Sequence, residues 1–113
     1  MKTFFTTTTG ESWTFTFVDA LGNVPAGFAG AVLTLWFRSL TTLQKMEGTG
    51  PFVVINASLG QAQYTVASSD LAQAYALASP VVGEALFEIL AEASISGVVY
   101  DGQQPPIIKI RKV

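Results

Sequence analysis

The sequence predicts an all-β fold, an antiparallel β-sandwich of about seven strands with one short helix near residues 69–78. Three observations carry that expectation. Apolar and polar residues alternate at period 2 in several separate runs, the pattern of strands with one buried face. The runs are divided by Gly, Asn, Asp and Pro residues with turn chemistry. No heptad and no internal repeat runs through the chain, which excludes a coiled coil and a solenoid.

At 113 residues the chain reads as one domain, with residues 1–9 as an extended N-terminal arm or edge strand. A chain of this length buries roughly 65% of the surface its unfolded form exposes, enough for one core without covalent staples. Cysteine is absent, so no disulfide contributes. The N-terminus, MKTFFTTTTGES, has one Lys and no apolar core, so a secretory signal is not expected.

Half of the residues are hydrophobic and only 12% are charged, against about 25% in a typical soluble domain. Mean hydropathy is +0.44. No apolar run reaches the roughly 18 residues of a membrane helix, so no membrane partner is expected. Ala, Gly and Thr account for part of the excess, and apolar surface covered by neighbouring subunits accounts for the rest. A net charge of −2 argues against nucleic-acid binding, which needs a basic footprint. The one basic cluster, Lys109, Arg111 and Lys112, reads as a charged edge strand.

Lys2–Thr9 is Thr- and Phe-rich and extended by propensity, and Gly10 breaks it. Glu11–Asp19 alternates cleanly, with Trp13, Phe15 and Phe17 on one face as core residues and Ser12, Thr14 and Thr16 on the other. Asp19–Pro25 (DALGNVP) is a turn. Phe28–Ser39 (FAGAVLTLWFRS) is the expected central strand, its apolar face formed by Ala29, Ala31, Leu33, Leu35 and Phe37. Leu40–Pro51 is a polar, irregular connection broken by Gly48, Gly50 and Pro51. Phe52–Ala57 and Gln61–Ala67 form a hairpin through Ser58-Leu59-Gly60. Ser69 is the expected cap of a short helix from Asp70, which Pro80 stops.

Gly83–Ile95 fits two periods. As a strand it has a face of Ala85, Phe87, Ile89, Ala91, Ala93 and Ile95, with Glu84, Glu88 and Glu92 opposite. As a helix, the same three Glu also form one stripe. Propensity favours the helix, whereas the flanking strands need a sheet partner, and the strand reading is preferred. Ser96-Gly97 is a tight turn, Val98–Tyr100 a short strand and Asp101-Gly102 a second turn. Pro105-Pro106 interrupts hydrogen bonding, and Ile107–Val113 closes the chain as a strand.

Histidine and cysteine are both absent, which removes Cys/His metal sites, haem ligation and the common Ser-His and Cys-His nucleophiles. No phosphate-cradling GxxxxGK[ST] or GxGxxG motif is present. Glu84, Glu88 and Glu92, at ~3.3 Å per strand residue, stand roughly 13 Å apart, beyond the spacing of glycosidase pairs. The reading is therefore of a non-enzyme, with no catalytic, cofactor-binding or metal residues and no cofactor. Trp36, Tyr75 and Tyr100 are the aromatic candidates for contact with a partner. Phe4 and Phe5 of the N-terminal arm, the Leu40–Pro51 loop, and Ile108 and Ile110 of the last strand join them.

The order of these signals is itself informative. A DALGNVP turn leads into the GAVLTL strand from Gly30, then a hairpin ending in GQAQYTV, then SSD at Ser68–Asp70 before an Ala-rich segment. A strand containing FEI, a DG turn and a closing IIKI strand follow. From about Glu11 to Val113 the chain resembles the N-terminal immunoglobulin-like domain of bacteriophage baseplate upper proteins and related β-sandwich modules of tailed-phage virions. The resemblance implies a virion structural protein of the tail, baseplate, neck or capsid decoration. Such a module docks to copies of itself or other virion proteins through buried apolar area and paired strand edges, as a homo-oligomer or within a larger assembly. It brings no catalytic residues. The alternative is a carbohydrate- or host-surface-binding sandwich using exposed aromatics.

Overall fold

A computed structural model of the chain describes residues 2–79, 83–102 and 106–112. Nine strands form two sheets: β1 (Lys2–Phe5), β2 (Ser12–Thr16), β3 (Val32–Ser39), β4 (Lys45–Glu47), β5 (Phe52–Asn56), β6 (Gln61–Thr65), β7 (Glu84–Ile95), β8 (Val98–Asp101) and β9 (Ile107–Arg111). One helix, α1 (Asp70–Ala78), lies between β6 and β7. The larger sheet runs β1-β9-β7-β3-β4, with β8 also paired to β7, and the smaller runs β2-β6-β5. The fold is an all-β sandwich. β2, β6 and β5 face β3, β7 and β9 across one core.

Between the two sheets the chain packs rings. Trp13 stacks on Tyr64 at 6.0 Å and meets Phe37 edge-on at 6.0 Å; Phe52 meets Tyr64 at 5.6 Å. Phe37, Phe87, Ile89 and Ile110 are fully buried from the larger sheet, as are Ala62 and Tyr64 from the smaller. Leu71 and Ala74 of α1 join the same core. Aromatic pairs of this kind add about 0.5–1.5 kcal/mol each beyond the area they bury.

The ambiguous segment is a strand of 12 residues, Glu84–Ile95, paired to β3 along one side and to β9 and β8 along the other. Ala85, Phe87, Ile89, Ala91 and Ala93 are buried, as the strand reading expects. Pairing with three strands outweighs the helix propensity of its Ala, Leu and Glu residues. The hairpin from β5 to β6, the turn at Ser96-Gly97 and the Asp70–Ala78 helix also form as expected.

Five expectations are corrected. The central strand starts at Val32 rather than Phe28, because Phe28–Gly30 forms a 3-10 turn that drives Phe28 into the core against Phe17, 5.5 Å away. The Leu40–Pro51 connection contains β4, which raises the strand number above the expected seven. Asp101-Gly102 is no turn: Asp101 ends β8, and Gly102 donates to the Ala91 carbonyl and bridges Phe17. Ser69 makes no side-chain cap; the neighbouring Asp70 carboxylate accepts the Ala67 N–H instead. Finally, β1 runs parallel to β9. The two are the ends of the chain and share no hairpin, so no tight turn imposes an antiparallel sense. The expected stop at Pro80, the break at Pro105 and the strand end at Val113 fall outside the described residues.

Residues 2–5 are thus an edge strand rather than a free arm, with Phe4 only 3% exposed and Phe5 47% exposed. Phe4→Ala is expected to lower unfolding stability by about 3–4 kcal/mol in urea titrations, and Phe5→Ala by less than about 0.5 kcal/mol. Equal small effects at both positions would show that the strand is not docked.

Candidate functional site

Two constellations stand out once the strands are in register. The first is buried. Asp70 is the first residue of α1 and is fully enclosed. Its Oδ1 accepts from the Thr49 N–H at 3.0 Å and the Thr49 hydroxyl at 2.8 Å. Its Oδ2 accepts from the Ala67 N–H at 2.9 Å and from the Tyr64 hydroxyl. The Tyr64 oxygen in turn accepts the Gly50 N–H at 3.0 Å. Every acceptor site of the carboxylate is thereby used. The latch joins β6, α1 and the 48–50 connection.

Glycine is required there by space. A Cβ on Gly48 would collide with the Tyr64 hydroxyl, and one on Gly50 with the Thr65 carbonyl oxygen. Burial alone would push the Asp70 carboxyl up, but the hydrogen bonds from Tyr64, Thr49 and Ala67 outweigh it and hold the group below the ordinary carboxylate range. Burial pushes the Tyr64 hydroxyl up, and its bond to the Asp70 carboxylate adds to that, against a smaller opposing pull from the Gly50 N–H. A cleft of about 380 Å³ opens beside the latch, lined by Leu33, Thr34, Glu47, Thr49 and Phe52 among others. The latch holds no unengaged acid, base or nucleophile, and its chemistry is structural.

The second constellation is the outer face of the larger sheet, the side turned away from β2-β6-β5 and α1. Residues opposite in phase to the buried ones lie here: Val32, Thr34, Trp36 and Arg38 of β3, and Glu84, Leu86, Glu88, Leu90 and Glu92 of β7. Lys109 and Arg111 of β9 lie beside Leu86 and Glu84, and Glu47 of β4 lies beside Trp36. The three glutamates are each engaged. Glu84 meets Arg111 at 3.4 Å and Lys109 at 3.8 Å, and Glu88 meets Arg38 at 3.4 Å. Glu92 accepts the Trp36 indole N–H at 2.6 Å, while Lys45 sits over the same ring at 4.3 Å.

The expected contact residues divide accordingly. Phe4, Ile108 and Ile110 are buried in the chain's own core, because β1 closes on β9, and they offer nothing to a partner. Tyr75 and Tyr100 are half-buried against that core. Trp36 and Phe5 do lie on the outer face. For a sugar, the Trp36 edge and ring face are already taken by Glu92 and Lys45. Sequence reasoning did not find the latch. Its one trace is an aspartate at a helix start six residues after a strand tyrosine, and the GTG run that meets them is distant in sequence. No group of metal-ligating residues gathers among the described residues. No protein-family model matches the chain, and no curated protein matches it.

A carboxyl held low when folded stabilises above its unfolded pKa of about 4 and loses that contribution as pH falls through the folded value. Stability of the wild type is therefore expected to drop on acidification below about pH 4, more steeply than that of Asp70→Asn. The tyrosine works in reverse: its contribution is complete below about pH 10 and fades as pH rises above it. At neutral pH, Asp70→Asn points an amide donor at existing donors and should cost about 2–4 kcal/mol; Tyr64→Phe should cost about 1–3 kcal/mol. The double variant should lose clearly less than the sum, read by a double-mutant cycle in urea. Additive losses would show the groups are independent.

Proposed function

We propose that this protein is a structural component of a tailed-phage virion, a tail, baseplate, neck or capsid-decoration module made in the host cytoplasm. It works by docking through the outer face of its larger sheet. The observation that carries the docking is the group of exposed large apolar side chains gathered there, about half of those exposed among the described residues. Phe5, Val32, Leu86, Val99 and Ile107 all belong to that face, and Leu40 follows directly on β3. Val32, the first residue of β3, is 67% exposed beside Ser94 at one end of the β3–β7 pairing. Exposed apolar side chains set among paired charges give a surface suited to protein–protein contact.

The ion pairs across the patch add little stability to the chain alone, since exposed pairs contribute at most about 1 kcal/mol. Their value lies in orienting a partner. The virion assignment is supported by the order of turns and strands that resembles the baseplate module. No helix among the described residues is long and apolar enough to cross a membrane.

Density-gradient fractionation of a phage-producing host tests the assignment. The protein is expected to band with intact particles and to be labelled on them by immunogold. Recovery only in the particle-free fractions would overturn it.

A further inference from the structure

The outer face is electrically lopsided as well as apolar. At the end near Glu84 and Glu88 it carries Arg111, Lys109 and Arg38 against those two carboxylates. At the opposite end Glu92 lies beside Asp101, and Glu47 beside Trp36. Lys45 reaches over Trp36 between the two ends. Even with Lys45 assigned to the acidic end, the two ends stand at +1 and −2 among the described residues.

Topology places these charges for a self-match. Strand β3 pairs along β7 from Val32 to Ser39, so β9 and β8 both lie on the other side of β7, one at each end. A two-fold axis lying in the interface and crossing the strands turns a second copy end for end. It sets β8 of one copy over β9 of the other. Asp101 then faces Lys109, and on the far side Glu47 faces Lys45, each pair occurring twice. Between the two columns of charge, Leu90 lies near the axis and Leu86 further along β7, while Val32 stands at the end of β3 beyond the level of Asp101.

The size reaches that of the smallest specific interfaces. With β7 about 40 Å long, β8 and β9 together about 30 Å, β3 about 27 Å and β4 about 10 Å, strands spaced about 4.8 Å apart give roughly 500 Å² per copy. The total is about 1,000 Å², the lower bound of a specific interface.

We infer that the occupant of this face is a second copy of the same chain, in a two-fold, end-for-end dimer stacked sheet on sheet. The inference rests on the docking reading above and names its partner. Such a contact is isologous, so each charge pair serves both copies.

Sedimentation equilibrium tests it with two variants whose changed residues lie away from the core. K45E/K109E makes both ends acidic, and E47K/D101K makes both ends basic. Circular dichroism and thermal melts confirm that each folds. The wild type is expected to dimerise at micromolar concentration, more weakly as salt rises. Each variant alone should raise the dimer Kd by more than about 100-fold, since like charges then face each other. Mixed one to one, the two variants should recover a heterodimer near the wild-type affinity. A monomeric wild type, a dimer indifferent to both changes, or variants that fail to pair when mixed would each overturn the inference. A monomer that still bands with particles would overturn this pairing alone. A dimer absent from particles would overturn the virion assignment alone.

Discussion

The Asp70 carboxylate is the constraint on which the rest of the sandwich depends. A buried charge is tolerated only when its hydrogen bonds are complete, and here four donors from three separate segments must arrive together. Tyr64 comes from the middle of the smaller sheet, Thr49 from the crossover that leaves the larger sheet, and Ala67 from the entry to the helix. Any slippage of one sheet against the other leaves the carboxylate short of a donor. The apolar core sets how much area is buried, but greasy rings tolerate several packings. The latch selects one of them.

That division explains what was legible in the chain. Period-2 alternation announced β2, β6 and the buried face of β7, because one side of each strand is turned to the core. The helix at 70–78 was visible through its run of Ala, Leu and Gln. The start of the central strand was not visible. Ala29 and Ala31 continue the alternation, yet Phe28 closes the end of the core from a turn. Tertiary packing overrode the local pattern. The parallel seam of β1 on β9 was invisible for a similar reason: it joins residues about a hundred positions apart, and period 2 says nothing of strand direction. The same seam buries Phe4, Ile108 and Ile110, which read from sequence as available greasy residues.

The outer face was half legible. The three glutamates at fourfold spacing, with Trp36 and Arg38 on the less apolar side of β3, were evident from sequence alone. Which cations meet them was not, since that needs the register of β9 and β3 on β7. Register turns scattered charges into a surface with two unlike ends.

Why association should use a face rather than a strand edge follows from the edges themselves. In the larger sheet β4 spans only three residues, and β1 carries a lysine that bonds Glu11 at 2.8 Å. In the smaller sheet β5 is apolar, with Val53 and Ile55 exposed, but its register shifts between Val54 and Asn56. A bulge there bends the strand and spoils the row of groups another strand would need. Short, charged or bulged edges are poor templates for pairing. The outer face is neither short nor bulged. It is broad, it is built on the longest strand, and its central side chains are held by ion pairs and the Trp36–Glu92 bond. A surface pre-ordered in this way loses little side-chain freedom when covered. The low charge content that marks this sequence therefore has a place in the structure: apolar area is concentrated where a partner can remove it from water, and the few charges present sit beside it to fix the partner's orientation.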